Sequence, residues 1–156
     1  MTAKKMAIIA TKGTLDWAYP PLILSSTAAA LGYEVQVFCT FYGLQLLRKD
    51  LSGIRISPLG NPAMPMPMPM PVLVQALPGV EAMATAMMKK KMKSKGVASV
   101  EELRSLCLEA EVKFIACQMT VDLFDFQRSD FIDGIDYGGA ATFLGFAGEA
   151  DIQLYI

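Results

Sequence analysis

The sequence alternates short apolar or β-branched runs with segments of helical periodicity. Three runs have the composition of strands: 5–11 (KMAIIAT), 33–40 (YEVQVFCT) and 112–117 (VKFIAC). Helical patterns lie between them, at about 20–31, 42–49 and 99–110. The first of these is expected to begin at Pro20 and Pro21, because proline is tolerated in a first helical turn. Strands joined through helices pair in parallel, so the chain is predicted to have an α/β fold.

The remainder of the chain completes a sheet of about five strands. Residues 132–137 are weakly strand-like, 138–146 have a helical pattern, and 151–156 form a terminal strand. The arrangement resembles the flavodoxin-like doubly wound fold, a mostly parallel sheet with helices on both faces. At this length we expect one domain over 1–156.

A proline- and methionine-rich stretch interrupts the alternation. From residue 64 the sequence reads MPMPMPMP, and helical periodicity resumes at about 77–95. The alternating prolines favour an extended, polyproline-like backbone. The uncharged run 56–80 is long enough to span a bilayer, but its prolines forbid a continuous helix, so membrane association is the less favoured alternative. We expect an insertion at about 58–97, a loop followed by a helix.

The methionines of this insertion admit two interpretations. Thioethers are soft ligands, and the M-x-M-x-M spacing places several of them along one flank of an extended chain, as a Cu(I) site requires. These are Met64, Met66, Met68 and Met70. The same strip is also a stiff apolar surface suited to an oligomer contact, which is the interpretation we favour. Zinc is disfavoured by the absence of histidine and of C-x-x-C spacing, so neither a metal site nor a cofactor is predicted.

Composition narrows the class of protein. The net charge is −1 and the pI about 5.4, which leaves no basic footprint for nucleic acid. Hydrophobic residues make up 53% of the chain and charged residues 19%, so we expect a homo-oligomer whose subunits cover part of the apolar surface. Three cysteines, an odd number, and a short first apolar run that resembles a strand rather than an export signal predict a cytoplasmic protein with reduced thiols.

The candidate nucleophiles are two cysteines at strand ends. Cys117 follows an apolar run and precedes a predicted helix start, and a helix N-terminus stabilises a thiolate. Cys39 has the same position at the end of the second strand, and is a candidate second or resolving thiol or else a core residue. Cys107 lies on the apolar stripe of a helix and is predicted to be core. With no histidine in the chain, the Ser-His and Cys-His mechanisms are excluded.

Polar residues beside these strand ends complete the predicted site. The carboxyl ends of parallel strands share one edge of a sheet, so the segments 11–14, 39–41 and 117–120 are expected to converge there. The candidate substrate-binding residues are Lys12, Gly13, Thr14, Gln118, Met119 and Thr120. Lys12 would lower the pKa of the Cys117 thiol if the two are close, whereas Asp125 would raise it. Asp122 and Asp125 are expected to cap the following helix.

Several of these segments resemble the DsrE-like family of small sulfur-trafficking proteins, in the subgroup labelled peroxiredoxin-like. The most specific are KGTLDWAYPP, MPMPMPMP with its LPG sequel, and IACQM. The resemblance implies an oligomeric α/β fold with a cysteine that carries sulfur as a persulfide or thiosulfonate between donor and acceptor proteins. Cys117 matches that cysteine. Cys39 occupies a position that is often phenylalanine in the family, and Asp125 replaces an expected glycine.

The predicted function is therefore that of an intracellular sulfur carrier or sulfurtransferase. Persulfide exchange needs no imidazole when the leaving groups are low-pKa thiols, so the missing histidine is compatible with it. Whether the protein turns over as an enzyme or relays sulfur stays open, as do the donor, the acceptor and the number of subunits. The alternative is a non-enzymatic interaction module, Cu(I)-binding or membrane-associated, that uses the Met-Pro loop.

Overall fold

A parallel five-stranded sheet forms the centre of the computed structural model, which describes residues 2–156. Its strands are β1 Lys5–Ala10, β2 Glu34–Cys39, β3 Lys113–Cys117, β4 Asp136–Gly138 and β5 Ile152–Tyr155. Their order across the sheet is β4-β3-β2-β1-β5, and every neighbouring pair is parallel. The predicted α/β fold with a mostly parallel sheet is confirmed.

The helices of the structure are, in chain order, α1 Leu15–Ala30, α2 Val72–Gln75, α3 Val80–Ser94, α4 Val100–Glu109, α5 Gln118–Leu123 and α6 Ala140–Ala147. Two short 3₁₀ helices add Phe41–Leu47 and Arg128–Asp130. Among residues 2–156, no helix combines the length and hydrophobicity needed to cross a bilayer.

Helix α1 begins five residues before the predicted start at Pro20. Leu15, Ala18 and Leu22 are fully or almost fully buried along one face, so burial of this face sets the start of the helix. Pro20 and Pro21 therefore lie inside the helix rather than in its first turn.

The segment predicted as a helix at about 42–49 is a 3₁₀ helix, Phe41–Leu47. Three residues per turn bring Leu44 and Leu47 onto one face, and both are fully buried. The turn packs tightly against β1, since a Cβ atom on Gly43 would stand 2.0 Å from the carbonyl oxygen of Ala10. Only glycine fits this approach.

The chain divides into two compact units. One comprises the residues up to Ile54 together with Val100–Ile156 and contains the whole sheet, and the other is Arg55–Ser99. The predicted insertion at about 58–97 falls inside the second unit. Within that unit, the amide of Ile56 donates to Thr85 Oγ1 at 3.0 Å and the Thr85 hydroxyl donates back to the carbonyl of Ile56 at 3.1 Å.

The sheet presents two different buried faces. Phe38, Ile115 and Cys117 belong to a core cluster that α6 completes with Phe143 and Phe146. Since side chains alternate along a strand, the neighbouring positions of β2 and β3 face the opposite side. On that side the buried residues include Val37, Cys39 and Phe114.

Candidate functional site

Cys117 is the last residue of β3 and the N-cap of α5. Its backbone is extended, and the helix begins directly at Gln118. The residue is 5% exposed, which leaves its sulfur at the boundary between the core and the carboxyl edge of the sheet.

The Cys117 sulfur has four hydrogen-bond donors around it. The hydroxyls of Thr120 and Thr40 and the backbone amides of Thr120 and Met119 all interact with it. Burial raises the pKa of the Cys117 thiol, but these hydrogen bonds to the thiolate outweigh burial, and the net shift is downward from 9.0. The arrangement therefore stabilises the nucleophilic form of the cysteine.

Thr120 is oriented by a contact with the loop after β2. The backbone amide of Phe41 donates to Thr120 Oγ1 at 3.1 Å, and the Oγ1 atoms of Thr40 and Thr120 lie 3.2 Å apart. Thr120 is fully buried. Its oxygen accepts from the Phe41 amide, and the same hydroxyl interacts with Thr40 Oγ1 and with the sulfur of Cys117.

Phe41 adopts an unusual backbone conformation at this contact. Its φ is 48°, in the left-handed region that a non-glycine residue rarely occupies. Its ring lies edge-on to Phe124, with centroids 6.3 Å apart, and Tyr42 stacks on Phe124 at 6.0 Å. These ring contacts hold the strained residue, so that its amide points at Thr120.

Cys39 does not meet Cys117. Its register partner on β3 is Ala116, so Cys39 shares a sheet face with Ala116 and not with Cys117. Cys39 is fully buried, and burial raises its pKa to about 12. It is a neutral thiol inside the core, and its predicted role as a second or resolving thiol has no support from this geometry.

Cys107 is a core residue, as the sequence predicts. It is fully buried, and its Sγ donates to the carbonyl of Leu22 at 3.3 Å. Burial raises its pKa to about 11. Like Cys39, it is held in the unreactive form.

The predicted residues of the first loop line a cleft of about 500 Å³, and Cys117 is not part of its lining. Its lining consists of Lys12, Gly13, Thr14, Trp17, Tyr42, Gln45 and Gly53. The Lys12 ammonium lies 3.6 Å from the centroid of the Trp17 ring, a cation–π contact. A Cβ atom on Gly13 would stand 2.3 Å from the carbonyl oxygen of Tyr42, so Gly13 is needed for packing. The influence of Lys12 on the Cys117 thiol stays a prediction.

Of the predicted residues around α5, some contact the Cys117 sulfur and others lie at the surface. Met119 supplies its amide to the sulfur, while its side chain is 57% exposed. The side-chain amide of Gln118 donates to the Asp122 carboxylate at 2.8 Å, which fixes both on the outside of the helix. Asp125 is exposed beyond the end of α5 with φ 54°, a conformation that the glycine expected there would adopt without strain.

Sequence reasoning missed Thr40 and Phe41 as functional residues. The expected convergence of 39–41 with 117–120 is what the structure contains, but through Thr40 and the Phe41 amide rather than through Cys39. The sequence did contain a signal for Thr40, because it is a hydroxyl residue directly after a strand, at the edge of the sheet where ligands bind.

Residues 2–155 match the DsrE/DsrF/DrsH-like family. The chain belongs to this family. This match confirms the resemblance to the DsrE-like family found in the sequence.

Two relatives are similar to the chain over nearly its whole length, and one solved structure shares its fold. The sulfur carrier protein DsrE2 of Allochromatium vinosum is 71% identical over 160 residues, which covers all of both chains. The uncharacterized protein YrkE of Bacillus subtilis is 32% identical over 157 residues, covering 98% of this chain and 97% of YrkE. The crystal structure of the ychN protein from E. coli matches with a TM-score of 0.54 at 11% identity, covering 98% of this chain and 99% of ychN, and supports the fold alone.

Proposed function

We propose that the protein is an intracellular sulfur carrier that holds sulfane sulfur on Cys117. The observation that carries this proposal is the set of four donors around the Cys117 sulfur, which lowers the pKa of its thiol at the carboxyl edge of the sheet. The 71% identity to a protein named sulfur carrier protein DsrE2 supports the same function.

Loading is a displacement at sulfur. The Cys117 thiolate attacks the outer sulfur of a donor persulfide, a new S–S bond forms, and the S–S bond of the donor breaks to release the donor thiolate. With tetrathionate, the thiolate attacks an inner sulfur and thiosulfate leaves, so that Cys117 carries a thiosulfonate. Neither step consumes an external oxidant or reductant.

Transfer is the same displacement in the opposite direction. An acceptor thiolate attacks the outer sulfur of the Cys117 persulfide, and the Cys117 thiolate is the leaving group. The hydroxyls of Thr40 and Thr120 and the amides after Cys117 stabilise the charge that returns to the sulfur. Since a low-pKa thiolate leaves readily without protonation, no imidazole is required, in agreement with the absence of histidine.

The carrier is proposed to work as a cytoplasmic homo-oligomer that meets separate donor and acceptor proteins. Exposed apolar residues of the sheet-containing unit support an oligomer contact, notably Leu123 at 57% and Leu144 at 61% exposure. The three free thiols fit a reducing compartment.

Mass spectrometry of adducts after incubation with polysulfide or tetrathionate tests the proposal. Wild type and Cys39→Ser should both acquire sulfur, and Cys117→Ser should not. Cys107→Ala serves as the matched control for loss of a buried thiol. Full retention of the adducts by Cys117→Ser would refute the assignment.

A further inference from the structure

The second compact unit contains a cavity that the sulfur chemistry does not use. Its volume is about 280 Å³, and five methionines line it: Met64, Met66, Met83, Met87 and Met88. The rest of the lining is Pro65, Pro67, Val80, Ala84 and Lys91. Two separate segments thus bring thioethers to one space, the Met-Pro loop and helix α3.

The spacing on α3 is what a ligand pair needs. Met83 and Met87 are four residues apart, so they lie on the same side of the helix one turn from each other. Both are about half exposed rather than buried in a core. Met64 and Met66 line the same cavity from the loop.

We propose that this cavity is a Cu(I) site whose ligands are the thioethers of Met64, Met66, Met83 and Met87. Thioether sulfur is a soft, neutral donor and selects Cu(I) over harder divalent ions. Within residues 2–156 no group of three or more His, Cys, Asp or Glu side chains is placed to hold a metal, so harder ions have no competing cluster there. This site goes beyond the sulfur-carrier function and is independent of it.

Hydrogen bonds hold the loop on both sides of Met64 and Met66, the two ligands that it supplies. Before them, Ile56 and the buried Thr85 of α3 exchange hydrogen bonds at 3.0 and 3.1 Å. After them, the side-chain amide of Gln75 donates to the carbonyl of Met70 at 2.8 Å. Prolines between the methionines fix φ, so metal binding has less chain entropy to remove.

Lys91 opposes a cation at this position. Its side chain lines the same cavity, and its ammonium repels Cu(I) through partly screened charge. If Cu(I) binds here, Lys91→Gln should increase the Cu(I) affinity relative to wild type. If the cavity binds no metal, this substitution should produce no such increase.

The experiment is an anaerobic Cu(I) titration of the full chain against bicinchoninate, in a Cys117→Ser background that removes the thiol of lowered pKa. We expect one equivalent of Cu(I). Affinity should be the same at pH 5.5 and 7.5, because a thioether has no proton to lose, whereas cysteine ligands bind more tightly as the pH rises. Met83→Leu with Met87→Leu keeps the side-chain volume and should weaken binding about tenfold or more.

Met92→Leu, on α3 but outside the cavity lining, is the matched control and should leave the affinity unchanged. Absence of binding, equal affinity in the Met83/Met87 double variant, or an affinity that rises with pH would each overturn the site. If the chain binds no Cu(I) and the Met83/Met87 double variant changes its oligomeric state, these methionines instead form a contact between copies of the chain. Sulfur loading of Cys117, measured on the wild-type chain, separates failure of this proposal from failure of the sulfur-carrier function.

Discussion

The Oγ1 atoms of Thr40 and Thr120 lie 3.2 Å apart, although 80 positions separate the two residues in the chain. Thr40 directly follows β2 and Thr120 lies in the first turn of α5, so the contact joins the ends of two neighbouring parallel strands. The Cys117 sulfur interacts with both hydroxyls. Chemistry at this cysteine therefore depends on how these two strand ends are held together.

Replacing Thr120 by valine should raise the pKa of the Cys117 thiol. Valine keeps the shape but removes a hydroxyl that donates to the thiolate, and one hydrogen bond to a charged group corresponds to about one pKa unit. The pH dependence of the alkylation rate with iodoacetamide measures the shift. Thr120→Ser retains the oxygen and should keep the wild-type profile, so an equal shift in the serine variant would show that packing and not the hydroxyl is responsible.

The same variant should change how stability depends on pH. The folded protein holds the Cys117 thiol at a pKa below the ordinary value of 9.0, so the thiolate stabilises the fold above that value. This contribution is lost as the pH falls through the lowered pKa. Urea unfolding of wild type and Thr120→Val at pH 6 and pH 9 should therefore give a smaller difference in stability between the two pH values for the variant.

The three thiols should react in two distinct classes. Cys117 has a lowered pKa, whereas burial raises that of Cys39 to about 12 and that of Cys107 to about 11. In native protein at pH 7.5, a disulfide reagent such as dithionitrobenzoate should titrate one thiol quickly and two only as the chain unfolds. Cys117→Ser should abolish the fast phase. A fast phase that survives in this variant but disappears in Cys39→Ser would contradict the assignment.

The sequence was sufficient to predict the sheet and the position of Cys117, because both follow from local patterns. A run of β-branched residues predicts a buried strand, and the change of period after residue 117 predicts its end. The register between strands is not local. The pairing of Cys39 with Ala116 rather than with Cys117 decides that the two thiols face opposite sides, and no pattern within either strand contains that information.

The start of α1 illustrates a local rule outweighed by packing. Proline in a first turn is a sound expectation, but burial of Leu15 and Ala18 extends the helix five residues upstream of Pro20.

The cavity between the Met-Pro loop and α3 could not be predicted from the sequence either. Methionines of the loop were visible as candidate ligands, while Met83 and Met87 become partners only through tertiary structure.

Loss of the Arg104 side chain should cost the sheet-containing unit more stability than loss of an exposed ion pair. It is buried, and its Nη1 donates to the carbonyls of Leu46 and Arg48 at 2.8 Å each. Arg104→Met should lower the free energy of unfolding by about 2–4 kcal/mol, because both carbonyls lose a charged donor. Lys113→Ala, which breaks an exposed 3.5 Å ion pair with Asp136, should cost less than about 1 kcal/mol in the same urea titration. Equal losses would contradict the role assigned to Arg104.

Gly43→Ala should destabilise the fold although the added group is a single methyl. Its Cβ would stand 2.0 Å from the carbonyl oxygen of Ala10, and that backbone has no room to yield without moving β1. Overpacking of this kind costs about 1–3 kcal/mol. The matched control is Gly145→Ala in α6, where the added Cβ meets no atom within 4 Å apart from its chain neighbours and the backbone of its own helix. This variant should be neutral or stabilising in thermal unfolding.

Phe41 permits a test of backbone strain beside the reactive cysteine. Its φ of 48° costs an L-residue about 1–2 kcal/mol and costs glycine nothing, although glycine loses more chain entropy on folding. Phe41→Gly and Phe41→Ala both remove the ring contact with Phe124, so the difference between them isolates the backbone. We expect the glycine variant to be the more stable of the two by about 0.5–1 kcal/mol in urea unfolding.

The control for Phe41 is Ala141→Gly, at an exposed position of α6 where glycine should be less stable than alanine by about 1 kcal/mol. Opposite signs at the two positions identify the left-handed backbone as the cause. Both Phe41 variants keep the amide that donates to Thr120, so the alkylation profile of Cys117 should follow wild type in Phe41→Gly. If Phe41→Gly is less stable than Phe41→Ala, the backbone at position 41 is not strained. The role given to the ring contacts, which is to hold a strained residue in place, would then be wrong.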